Sequence, residues 1–139
     1  MKKGTSDAVS TTLSFWVRSN KTGTYICELQ DVDNTRQISK SYTISSADTW
    51  EKKTITFLGD TTTAIPDDNT IAILLDFCLG SGTGYTSGGA TGSAWTSSAT
   101  SYFGGHAVNI MASTSNEFLL TGVQLELGEV ATPFEHESY

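Results

Sequence analysis

Apolar residues recur at every second position along most of this chain, and almost nowhere at the three-and-four spacing of an amphipathic helix. Extended backbone points successive side chains to opposite faces, so the pattern demands strands that bury one face and wet the other. Residues 11–18 put Leu13, Phe15 and Val17 on one side and Ser14, Trp16 and Arg18 on the other. Asn20, Lys21, Thr22 and Gly23 supply turn residues, and 24–31 then set Tyr25, Cys27 and Leu29 against Thr24, Glu28 and Gln30, with Ile26 the exception. The two segments read as a hairpin. A turn at 31–34 leads to 36–44, where Ile38, Tyr42 and Ile44 share a parity, and 50–58 continue the meander with Ile55 and Phe57 inward.

Residues 70–79 are apolar on both sides, with Ile71, Ile73, Leu75, Phe77 and Leu79 on one and Ala72, Leu74 and Cys78 on the other, which is expected of a central strand. Residues 80–105 then hold 8 of the 13 glycines, and their large side chains are Tyr85, Trp95, Tyr102 and Phe103. Such an excursion in a small domain argues for a function or some structure of its own. Two more strands are expected at 106–112 and 117–127, the latter with Leu119, Thr121, Val123, Leu125 and Leu127 in register. Seven or eight short strands predict one all-β domain over 1–139, an antiparallel two-sheet β-sandwich of jelly-roll type with one long glycine-rich loop. Its core is expected to include Leu13, Phe15, Val17, Ile55, Phe57, Ile73, Leu75, Phe77, Val123 and Leu125.

The 139 residues suffice for one domain that buries roughly 68% of its unfolded surface without a metal or disulfide staple. A net charge of −7, with no basic run beyond Lys2-Lys3 and Lys52-Lys53, argues against nucleic acid and anionic membranes as partners. The longest mainly apolar run, 71–79, contains Asp76 and falls far short of the ~20 residues of a membrane helix, so no membrane insertion is expected. Met1 to Asp7 start with charge but lead into no apolar segment, so no signal peptide is expected either. Cys27 and Cys78 sit within apolar strand patterns and read as small buried hydrophobes rather than as a bridge.

The chemistry-bearing motifs are weak. Gly80-Ser-Gly82-Thr-Gly84 lacks the following helix that a dinucleotide site needs. Asp31-Val-Asp33-Asn34 is followed by Thr35 and Arg36 where an EF-hand wants an oxygen ligand and Gly, so it reads as a turn whose Asx side chains bond the backbone. His106 and His136 have no partner at metal-ligand spacing, Glu135 and Glu137 merely flanking His136. No nucleophile elbow is present, and Asp76 is the one carboxylate worth weighing for glycoside hydrolysis, although a hydrogen-bonded or rim position explains it better. No catalytic residue, metal ligand or cofactor is therefore assigned; a structural calcium held by backbone carbonyls would leave no sequence trace. Asn20-Lys21-Thr22 is a glycosylation sequon of the kind that arises by chance.

Aromatic residues are the better lead, because sugar rings stack apolar faces on Trp and Tyr while Asn, Gln, Asp and Thr bond the hydroxyls. Tyr85, Trp95 and Tyr102 are the candidate glycan contacts; Trp95 either anchors the loop or faces outward as a platform. Trp16 is the reserve, since it lies on the face opposite Leu13 and Phe15. Trp50, like Trp16, reads as a core or sheet-face residue.

Gly4-Thr-Ser-Asp-Ala8 with Thr12-Leu-Ser-Phe-Trp-Val-Arg-Ser19, Lys21-Thr-Gly-Thr-Tyr25, Ala47-Asp-Thr-Trp50 with Lys53-Thr-Ile-Thr-Phe57, and Leu120-Thr-Gly-Val-Gln-Leu-Glu-Leu-Gly128 with Ala131-Thr-Pro-Phe-Glu-His136 carry a resemblance over nearly the whole chain. The sequence resembles phage and prophage structural proteins, tail-fibre or virion-associated, with a carbohydrate-binding-module-like jelly roll. The final segment is its most specific part. The resemblance implies a non-catalytic virion or extracellular surface protein, a homo-oligomer whose edges at 1–10 and 131–139 pack on neighbours, and recognition of host surface glycans or, alternatively, self-assembly alone.

Overall fold

Among the described residues the alternating segments become six strands: β1 Thr11–Ser19, β2 Gly23–Asp31, β3 Arg36–Ile44, β4 Glu51–Phe57, β5 Ile73–Phe77 and β6 Phe118–Leu127. This is a computed structural model, and it describes residues 1–90 and 92–136; Thr91, in the long loop, and 137–139, with Glu137 and the end of the tail, lie outside the described residues. The strands form two antiparallel sheets, ordered β4-β1-β6 and β3-β2-β5, that pack face to face as the expected sandwich. Leu13, Phe15 and Val17 from one sheet meet Tyr25, Cys27, Leu29, Ile38, Tyr42 and Ile44 from the other, with Ile55 and Phe57 beside them. Phe15 sets its edge against both Tyr42 and Phe77 at 5.1 Å between ring centroids, the T-shaped geometry that ring quadrupoles favour. Cys27 and Cys78 are buried and unbridged.

Several expectations need correction. β1 and β2 are not a hairpin: β1 pairs with β4 and β6, while β2 pairs with β3 and β5. Their inward rows face one another across the core, and the turn between them is a corner from one sheet to the other. The Asn20 amide fixes that corner, donating to the Ser115 carbonyl at 2.8 Å and accepting from the Glu117 N–H at 2.9 Å. β2 and β3 do form a hairpin, and Asp31 Oδ1 braces its turn by accepting from the Asn34 N–H, three residues on, at 3.1 Å. Residues 106–112 form no strand; Val108 and Ile110 plug the core from an irregular segment that ends in a 3-10 turn capped by Asn109.

The strand expected to be central is an edge. β5 pairs only with β2; Ile73, Leu75 and Phe77 pack against the core without full burial, and Ile71 is exposed. β6 also breaks the expected register. Its pairing shifts between Ser14 and Trp16, where Gly122 adopts φ +58, a left-handed conformation that costs glycine least. The extra residue reverses the parity: Leu120 faces Val17 on the core side, while Thr121 and Leu119 pair with Trp16 and Arg18 on the outer side. Val123 and Leu125, expected in the core, are 40% and 39% exposed because β6 is an edge strand.

The glycine-rich segment is a folded layer. A short helix, α1 Thr83–Thr86, and a 3-10 turn at Ala99–Ser101 lie in two limbs joined by bonds from the Phe103 N–H to the Tyr85 carbonyl at 3.0 Å and from the Gly88 N–H to the Thr100 carbonyl at 2.9 Å. Gly104 allows this closeness, since a Cβ there would lie 1.8 Å from the Gly89 carbonyl oxygen. The layer is bonded to β3 on the solvent side of its sheet: Thr96 bridges Gln37, and the Gln37 and Ser39 side chains donate to the carbonyls of Ser98 and Ser101.

Candidate functional site

Where the folded loop stops short of β5 it leaves a cleft of about 380 Å³ lined by Glu28, Gln30, Asp76, Ser81, Tyr85, Tyr102 and Phe103. Its floor is the outer face of β2 and β5, where strand register places Glu28 directly opposite Asp76 and Gln30 opposite Leu74. The loop limbs supply the rings. Tyr85 and Tyr102 stand 6.0 Å apart between centroids, and the Gln30 amide reaches the Tyr102 hydroxyl at 3.4 Å.

Among the described residues no Lys, Arg or His lines the cleft. Glu28 is 1% exposed, and its Oε2 has no hydrogen-bond donor among the described residues. Burial, and then the negative charge of Asp76, push its carboxyl from an ordinary 4.5 up to about 8, which favours the protonated form at neutral pH. Desolvation penalises the charged form, and a like charge across the strand pair adds to the penalty.

The expected contacts divide. Tyr85 and Tyr102 come together in the cleft, while Trp95 and Trp16 lie elsewhere. Trp95 anchors the loop to the body: its indole N–H donates to the Leu58 carbonyl at 2.7 Å and its ring packs against the core. It also carries the Lys3 ammonium 5.3 Å from its ring centroid. That ammonium is buried between Asp31 and Asp60, with Asp60 at 2.9 Å, and Arg36 grips Asp60 with two bonds at 2.7 and 3.0 Å. Burial alone would raise the Asp60 carboxyl, but bonds from Arg36, Lys3 and the Thr62 N–H together hold it well below the usual carboxylate range. Trp16 is exposed on the outer face of the other sheet, beside a hollow of about 260 Å³ that it shares with Thr121, Gly122, Phe134 and His136. Trp50 is exposed next to β4.

Glu28, Gln30 and Phe103 line the cleft as well, although the sequence did not mark them as contacts. Their signal was faint: Glu28 sits between Cys27 and Leu29 as Asp76 sits between Leu75 and Phe77, and only register shows that the two strands are neighbours. Among the described residues no group of three or more His, Cys, Asp or Glu is arranged to hold a metal ion. No family model, curated protein or solved structure matches the chain.

Proposed function

We propose that the chain is a non-catalytic carbohydrate-binding sandwich that seats a sugar in the Glu28, Asp76 and Tyr102 cleft, the role implied by its resemblance to phage tail-fibre and virion-associated proteins. On this reading it works at a virion or other extracellular surface and meets host glycans. The observation that carries it is the pairing of aromatic and polar walls: Tyr85, Tyr102 and Phe103 offer rings, and Glu28, Asp76 and Gln30 offer hydrogen-bonding groups within one small cleft. Glu28 and Asp76 rise side by side from one sheet face. Hydrolysis of a glycosidic bond instead needs two carboxylates flanking the bond, which favours binding over catalysis. Two ring contacts at about 1 kcal/mol each and two or three hydrogen bonds of about 1 kcal/mol amount to a dissociation constant on the order of 1 mM. Affinity of that size is useful when several copies act together. A glycan array probed with the chain displayed as a tetramer tests the reading: binding is expected, and expected to vanish in Tyr102→Ala. A blank array, or binding indifferent to that change, contradicts it.

A second reading, self-assembly, rests on a different observation. β5 and β6 are both edge strands, and Leu120, Val123, Leu125 and Leu127 on β6 face the core side yet are 36–61% exposed. A second copy adding its own β6 antiparallel to this edge would extend the sheet and cover that row with the same row, the self-complementarity that a two-fold interface requires. The two functions are compatible, since the cleft lies on the other sheet.

A further inference from the structure

The geometry points to an amino sugar as the ligand, its free ammonium seated between Glu28 and Asp76; this rests on the cleft being the sugar site and adds which sugar it takes. The chain pairs its other buried acids, Asp31 and Asp60, with cations. Asp31 and Asp60 sit beneath the loop anchor with Lys3 and Arg36 bound directly to them. Glu28 and Asp76 have no such partner among the described residues, although Glu28 is as buried as Asp31. Burying an unpaired charge is costly, so Glu28 keeps its proton, and it lines a cleft that has no basic side chain among the described residues. A cation brought by a ligand would let Glu28 ionise beside Asp76.

The walls decide what kind of cation. A divalent metal takes six to eight oxygens, or keeps several waters, and the cleft offers two carboxylates and one amide on a single wall. An ammonium carries three N–H donors, which Glu28, Asp76 and the Gln30 amide oxygen suit as acceptors, and the faces of Tyr85, Tyr102 and Phe103 attract an organic cation. The same rings suit the apolar face of the attached sugar. A chain of net charge −7 also concentrates cations around itself before contact.

Three disaccharides that differ only at the second carbon test this by calorimetry on the intact chain: the β-1,4-linked glucosamine dimer, its N-acetylated form, and cellobiose. The free amine is expected to bind at least roughly tenfold tighter than the other two. Glu28→Gln and Asp76→Asn, which keep size and shape, are expected to erase that preference, while Asp67→Asn, the same acid-to-amide change at an exposed site, leaves it intact. Tetramethylammonium is expected to compete in the wild type. Equal binding of all three sugars overturns the ammonium assignment and leaves the sugar site standing. An absence of binding by all three overturns both. Tight calcium binding lost in both cleft variants, with no amine preference, assigns the carboxylates to a metal and also overturns the proposal.

Discussion

Glu28 on β2 and Asp76 on β5 are direct cross-strand neighbours on the solvent side of one sheet, and Glu28 is nevertheless only 1% exposed. The loop layer is bonded over the outer face of β3 and reaches Gln30 on β2, and its Tyr85, Tyr102 and Phe103 line one cleft with Glu28 and Asp76. One folded loop therefore supplies the aromatic wall of the cleft that the two acids line.

The stability of the chain is expected to fall between about pH 5 and 8. Glu28 has a folded-state value raised from 4.5 to about 8, so the folded chain keeps a proton that the unfolded chain releases. That contribution is fully present below 4.5 and is lost as pH rises through 8. Asp76, Tyr85, Tyr102 and the nearby Cys27 and Cys78 thiols are the other titratable groups around it, and none supplies a positive charge. Thermal melts at pH 5 and 8 should show a drop of at least about 3 °C for the wild type and a flatter profile for Glu28→Gln.

Asp60 acts in the opposite window. Held below its ordinary 3.8, it stabilises the fold above that pH, and the stability is lost as pH falls through the lowered value. Removing its partner has the same effect at neutral pH: Lys3→Ala leaves Asp31 and Asp60 buried with one cation fewer and is expected to cost about 3–5 kcal/mol in urea unfolding. An unchanged urea midpoint would show that the buried pair contributes nothing.

Trp95 and Tyr102 should separate stability from binding. Trp95→Phe loses the bond to the Leu58 carbonyl and is expected to cost about 1 kcal/mol while leaving sugar affinity in place. Tyr102→Ala should do the reverse, with a small change in melting temperature and a loss of binding.

Self-association is expected to run through the β6 edge. Leu125 is 39% exposed, so Leu125→Glu should cost little in the monomer yet place like charges in a two-fold β6 interface. Sedimentation over a concentration series should show association in the wild type and its loss in the variant; association that persists unchanged would place the interface elsewhere.

Alternation alone made most strands legible, because burying one face of a sheet writes a period of two into the residues. Alternation tells which way a side chain points, and not which strand lies alongside, so β1 and β2 read as a hairpin when they belong to opposite sheets. Gly122 was visible as a glycine but not as the bulge that reverses the parity of β6. Val108 and Ile110 imitate a strand from a loop. At the site, Tyr85 and Tyr102 were legible as large rings in a small-residue segment. Trp95 matched them in composition but is held by Leu58, and the Glu28 and Asp76 pair depends on register across 48 positions of sequence that no local pattern encodes.

The most direct test of the cleft is an amide chemical-shift map recorded while the glucosamine dimer, or any glycan positive on the array, is titrated into the labelled chain. The account predicts shifts concentrated at Glu28, Gln30, Asp76, Ser81, Tyr85, Tyr102 and Phe103. Shifts centred instead on Trp16, Gly122 and Phe134, or no shifts with any sugar, would contradict it.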